Sequence, residues 1–175
     1  MLTLPVVNKG ITLTEVPNHI AIFFEVGNCT LHCKGCHSPE LWDENYTEPN
    51  MTEEEIWEYV EEQKKLGANA IVFMGGLDNE GVHRPDFLHL LDNLDYFLPV
   101  CLYCGNDDEE LLAPKVVPTT WLKLGHYDPE LGGLDSPTTN QKFYEWRPVP
   151  EAEWGADWVD VTKEYFQGGT HENDL

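Results

Sequence analysis

The chain has 175 residues and a mass of 20.0 kDa, a size that predicts one domain able to bury roughly 70% of its surface without disulfide staples. Lys and Arg number 10 against 32 Asp and Glu, so the net charge is −22, which argues against nucleic-acid backbones and anionic membrane surfaces as partners. Hydrophobic residues make up 41% of the chain, and that excludes charge-driven disorder.

Residues 19–26, His-Ile-Ala-Ile-Phe-Phe-Glu-Val, predict a buried strand that stops at Gly27-Asn28 and delivers the chain into a loop, Asn28 to Pro39. Thr52 and Glu55 form a capping-box pattern, followed by an acidic first turn, Lys64 and Lys65 in the last, and Gly67 beyond it. A helix is expected there, with Ile56, Tyr59, Val60 and Leu66 on its apolar face. Asn69 to Met74 is a short apolar run ending in Gly75-Gly76, as in a strand buried on both sides. Pro85 opens a second helix with Phe87, Leu90, Leu91 and Leu94 on its buried stripe. Pro99 to Cys104 reads as a strand, Asp107 to Ala113 as a short helix and Trp121 to Gly125 as another strand. Asp128 to Pro150 reads as a long covering loop with room for an edge strand, and Asp157 to Val161 as a last strand. Strands alternating with helices at this spacing predict βαβ units around a mostly parallel α/β sheet. One domain is expected over residues 1–166, with a polar, frayed tail over 167–175.

The chain holds no run of about 18 apolar residues, and Met1 to Val7 lacks the basic and apolar regions of a secretory signal. A cytoplasmic location is therefore expected, where thiols stay reduced and five cysteines point to a metal or redox role. Three of them lie in Cys29-Thr30-Leu31-His32-Cys33-Lys34-Gly35-Cys36-His37, spaced C-x3-C-x2-C directly after the first strand. Three thiolates so close suit three corners of one iron-sulfur cube, with the fourth iron left open. Such an open position separates a reactive metal centre from a structural one.

Other readings stand beside this one. Zinc would take the three cysteines and His37, although consecutive residues such as Cys36 and His37 reach one tetrahedral ion awkwardly. Cys33 to His37 also fits the C-x-x-C-H haem-attachment pattern, which leaves Cys29 unexplained. A redox pair of Cys33 and Cys36 leaves the same surplus thiol, and three unrelated buried cysteines suit a polar loop poorly. Spacing of three along a strand sends Cys101 and Cys104 to opposite faces, which speaks against a shared metal.

C-x3-C-x2-C after a strand resembles the motif of the radical S-adenosylmethionine (SAM) enzymes. The resemblance implies a [4Fe-4S] cluster on Cys29, Cys33 and Cys36 whose open iron is chelated by the methionine part of SAM. One electron then cleaves the sulfonium to methionine and a 5′-deoxyadenosyl radical. Met74-Gly75-Gly76-Leu77-Asp78 is similar to the Gly-Gly-Glu-Pro turn whose backbone binds the cofactor's amino group in that family. The Glu-Pro half is missing, which leaves Asp78, one position late, as the acidic contact. The resemblance further implies that Gly35 and Cys36 contact the cofactor, the Gly35 main chain meeting the adenine where the family usually has an aromatic residue, with packing from His37. With 175 residues there is no room for a closed eight-unit barrel of about 250. The fold implied is thus α/β, an open partial (β/α) barrel whose exposed C-terminal face suits a macromolecular substrate.

Cys33-Lys34-Gly35-Cys36-His37-Ser38-Pro39-Glu40-Leu41-Trp42 resembles the cluster segment of the activating proteins of anaerobic ribonucleoside-triphosphate reductases. Cys101 to Gly105 is similar to their C-L-Y-[ST]-G strand, and Trp121 to Tyr127 with Gly132 to Gln141 to their K-x-G-x-Y…L-x-S-x-x-N-Q ending. The likeness implies that the large reductase subunit is the substrate, with a glycyl radical formed on it and a flavodoxin or ferredoxin supplying electrons. Two other readings remain at this stage: a small-molecule radical SAM enzyme such as 7-carboxy-7-deazaguanine synthase, and a non-catalytic zinc module that docks a partner. Arg84 and Arg147 are the only arginines, few for an enclosed anionic-ligand site.

Overall fold

A computed structural model describes residues 2–28, 50–114 and 116–168. Among the described residues, eight strands form one sheet: β1 (Thr3–Thr12), β2 (Ala21–Val26), β3 (Asn50–Thr52), β4 (Ala70–Met74), β5 (Val100–Cys104), β6 (Trp121–Leu124), β7 (Lys142–Pro148) and β8 (Ala156–Asp160). Their spatial order is β3-β1-β2-β4-β5-β6-β7-β8, so the sheet is open with β3 and β8 at its edges. Helices α1 (Glu53–Lys65) and α2 (Arg84–Phe97) follow β3 and β4, and α3 (Thr162–Phe166) follows β8.

The centre of the sheet is parallel. β2, β4, β5 and β6 pair in register, so that Glu25 meets Met74, Met74 meets Tyr103 and Tyr103 meets Lys123. Side chains alternate between two apolar layers. Ile22, Phe24, Ile71, Phe73, Leu102 and Leu122 face α1 and α2, together with Ile56, Val60, Phe87, Leu90, Leu91 and Leu94. Phe73 sits between the rings of Phe24, stacked at 4.9 Å, and Phe87, edge-on at 5.6 Å. Ala21, Ala70, Val72, Cys101, Tyr103, Trp121 and Phe143 form the other layer, which Val16, Leu134 and α3 cover.

Local signals explain the helices. Thr52 accepts the Glu55 N–H at 3.2 Å and Glu55 reaches back to the Thr52 N–H at 3.4 Å, the reciprocal capping box that the sequence predicts. All four residues of the α2 stripe are buried. Leu66 is a correction: it is 76% exposed, because it caps the C-terminus of α1, past the last turn that touches the sheet. The short helix after β5 is a single 3-10 turn, Glu109–Leu112, capped by the Asp108 carboxylate.

The expectation of a mostly parallel sheet is also corrected. Three parallel pairs are flanked by four antiparallel ones, β3 with β1, β1 with β2, β6 with β7 and β7 with β8. An antiparallel neighbour needs only a turn, whereas a parallel one needs a long crossover. Residues 13–20 and 149–155 are such turns. β7 is therefore an interior strand rather than an edge, and β1 and β3 escape prediction because Pro5, Asn8, Lys9 and Gly10 break the apolar pattern of β1 and β3 is three residues long. Among the described residues, no helix is long and apolar enough to cross a membrane.

Candidate cofactor site at the ends of the parallel strands

In open α/β sheets, ligands bind outside the carboxyl ends of the parallel strands. Here those ends are Val26, Met74, Cys104 and Leu124, all at one edge of the sheet. β2 leads to the cysteine loop and its parallel neighbour β4 to Gly75-Gly76, so the two sequence-marked segments start side by side. Cys29, Cys33, Gly35, Cys36 and His37 lie outside the described residues. Gly75, Gly76 and Asp78 lie within them.

Gly75 and Gly76 have φ of +91° and +117°, a region that favours glycine. A Cβ on Gly76 would stand 2.6 Å from the buried Phe87 ring, so this turn needs glycine for space as well as conformation. The Gly75 N–H donates to the Tyr103 carbonyl at 3.0 Å, extending the pairing of β4 with β5 past the strand end.

Asn79 is the residue that sequence reading missed. It is buried, and its side chain accepts the Gly76 N–H at 3.0 Å while donating to the carbonyls of Val26 at 3.0 Å and Gly27 at 2.5 Å. Its neighbour Glu80 exchanges backbone contacts with Asn28: the Glu80 N–H donates to the Asn28 carbonyl and the Asn28 amide to the Glu80 carbonyl, both at 3.3 Å. An Asn three residues after a glycine turn signals a local side-chain hydrogen bond. The contacts to Val26 and Gly27, more than fifty residues away, leave no local trace.

The Asp78 carboxylate turns toward the next loop. It accepts from the Asn106 amide and the Cys104 thiol and pairs with Arg84 at 3.7 Å. Burial, reinforced by the Asp78 charge, pushes the Cys104 thiol up to about 12 against the opposing Asn106 N–H and Arg84, so it stays protonated and donates. Cys101 is fully buried on the other face and its thiol is pushed well up by desolvation. The two cysteines thus occupy opposite faces, as their spacing predicts. Among the described residues, no group of three His, Cys, Asp or Glu side chains could hold a metal ion.

Further along the edge, the Gly125 N–H donates to the Asn106 carbonyl at 2.9 Å, and His126 Nδ1 meets Asp107 at 2.8 Å. Asn140 and Gln141 donate to the carbonyls of His126 and Gly125 at 3.1 and 3.2 Å, which makes them a loop-fastening pair. On the face away from α1 and α2, the Lys123 ammonium lies 4.5 Å from the centre of the Tyr103 ring, and the Tyr103 hydroxyl donates to the Glu15 carbonyl.

No curated protein and no solved structure matches the chain. A family model described as a 4Fe-4S single cluster domain matches residues 19–113. That span runs from just before β2 to just past the 3-10 turn and takes in the cysteine triplet, the Gly-Gly turn and Asn79. It covers more than half of the 175 residues, and the chain belongs to this family of single-cluster iron-sulfur proteins.

Proposed function

We propose that this protein is a radical SAM activase that generates a glycyl radical on an anaerobic ribonucleoside-triphosphate reductase. The observation that carries the reading is the placement of the cysteine triplet. It falls inside the cluster-domain match, directly after β2, whose parallel partner β4 ends in Gly75-Gly76. When bound, the cluster supplies one electron, taken from an external reductant of the flavodoxin or ferredoxin class, to split SAM into methionine and a deoxyadenosyl radical that removes a hydrogen atom from a glycine Cα.

The chain's own residues bind and orient. Cys29, Cys33 and Cys36 are the thiolate ligands, and Gly75-Gly76 brings backbone to the methionine end of SAM without Cβ obstruction. Among the described residues, the Asn28 Oδ1 is a buried acceptor without a partner, one residue before Cys29. Buried acceptors are normally satisfied, and this one suits a ligand that brings N–H donors, as the SAM ammonium does. Gly35, Cys36 and His37 remain the proposed cofactor contacts beside Gly75-Gly76, with the reductase subunit closing over the strand ends.

Anaerobic reconstitution with iron and sulfide, reduction, and incubation with SAM and the large reductase subunit tests the proposal. A glycyl-radical signal by electron paramagnetic resonance is expected, absent in the Cys29→Ala, Cys33→Ala and Cys36→Ala variants. An intact cluster that cleaves SAM without forming that signal points to a small-molecule substrate, and a colourless zinc-loaded protein overturns the radical reading altogether.

A further inference from the structure

Asn79 joins the two segments from which the proposed site is built, and it uses almost its whole hydrogen-bonding capacity to do so. Both amide hydrogens go to the end of β2, at Val26 and Gly27, and the amide oxygen takes the Gly76 N–H of the turn after β4. Only a primary amide offers two donors and an acceptor at that reach. Gly75 lies against both partners: an added Cβ would be in ordinary van der Waals contact with the Asn79 Nδ2 at 3.4 Å and the Val26 carbonyl at 3.5 Å.

This bond has a directional consequence. The peptide unit between Gly75 and Gly76 is planar and trans, so its N–H and C=O point in opposite directions. Holding the Gly76 N–H on Asn79 turns the Gly75 carbonyl away from Asn79. The same side chain fixes where the chain leaves β2, two residues before Cys29. The Glu80 contacts with Asn28 repeat the tie one residue further on.

Resting on the radical SAM reading, we infer that Asn79 is a positioning residue: it sets the Gly75-Gly76 backbone against Val26-Gly27 at the end of β2, so that SAM would meet a preformed Gly75 carbonyl. Asn79 itself does not ligate the cluster. In place of a Glu-Pro half that reaches forward to the ligand, this chain carries an amide that reaches back to the preceding strand.

The test separates cluster assembly from SAM binding. Asn79→Asp replaces the amide nitrogen and its two N–H donors by one acceptor oxygen facing two carbonyls, and Asn79→Ser keeps an acceptor for Gly76 with shorter reach. Both variants and the native protein are reconstituted, and iron per chain, SAM affinity by equilibrium binding and the SAM-induced change in the spectrum of the reduced cluster are read. Native iron content with SAM affinity weakened at least tenfold in Asn79→Asp, and less in Asn79→Ser, is expected; affinity within twofold of native in both overturns the inference.

Amide exchange on the unaltered, cofactor-free protein gives a measure that no variant's folding can confound. The Gly76 amide is expected to exchange at least a hundredfold more slowly than that of Gly81, and equal rates overturn the clamp. Native protein whose reduced-cluster spectrum ignores SAM defeats the radical SAM reading instead, while exchange still reports on Asn79.

Discussion

Two glycines in the segment between β4 and α2 show how far conformation and space can be told apart. Gly76 and Gly81 both have positive φ, but an added Cβ meets the Phe87 ring at 2.6 Å in the first and nothing within 4 Å in the second. Gly81→Ala pays only the left-handed conformation, about 1 kcal/mol. Gly76→Ala adds overpacking against a buried ring, and the total should reach about 3 kcal/mol. Denaturant midpoints of the two variants check this, and equal losses would show that Phe87 moves aside. The glycine pair itself was legible, since two glycines after an apolar run announce a turn. The Phe87 contact was legible only in half, because α2 was seen to bury Phe87 but its partner across the turn was not. Asn79 lay beyond reading, for its partners Val26 and Gly27 become neighbours only when β2 and β4 pair.

At the scale of elements, the antiparallel end of the sheet is fastened by one carboxylate. Glu145 on β7 accepts from Trp121 Nε1 of β6 at 3.0 Å, from Arg147 at 2.9 Å and from the Tyr165 hydroxyl of α3, while Arg147 also reaches Glu164 at 3.1 Å. Burial by itself would push the Glu145 carboxyl up, but the hydrogen bonds from Arg147, Tyr165 and Trp121 and the Arg147 charge outweigh it and hold it below the usual range. A lowered value means that the unfolded chain takes the proton more readily, so this stabilisation is present above the ordinary glutamate value and is lost as pH falls through the lowered one. Glu145→Gln should be less stable than the native protein near neutrality and should lose less stability on acidification. Thermal melts from neutral to acidic pH check both, and parallel acid limbs would show that another group governs. Periodicity and capping revealed α1, α2 and the parallel strands, whose signals are local. β7 was hidden in a Pro- and Gly-rich stretch, and its interior place depends on β8 closing over it.

For the whole molecule, the charge of −22 first served only to argue against anionic partners. Beside the proposed protein substrate it gains a positive meaning, because an acidic chain of this size should approach a basic surface of the reductase by long-range attraction. Association should weaken as salt rises and the Debye length falls from about 10 Å at 0.1 M to about 3 Å at 1 M. Affinity that is indifferent to salt would reduce the charge to a matter of solubility. What the sequence determined alone was local: the cysteine spacing, the helix caps, the apolar strands and the glycine turn, each set by residues within a few positions of one another. What only the tertiary structure decided was long-range: the four antiparallel pairings, the turn of Asp78 toward Cys104 and Asn106, and the amide of Asn79 between two strand ends. Those depend on which segments the sheet brings into register, and no short stretch of chain carries that information.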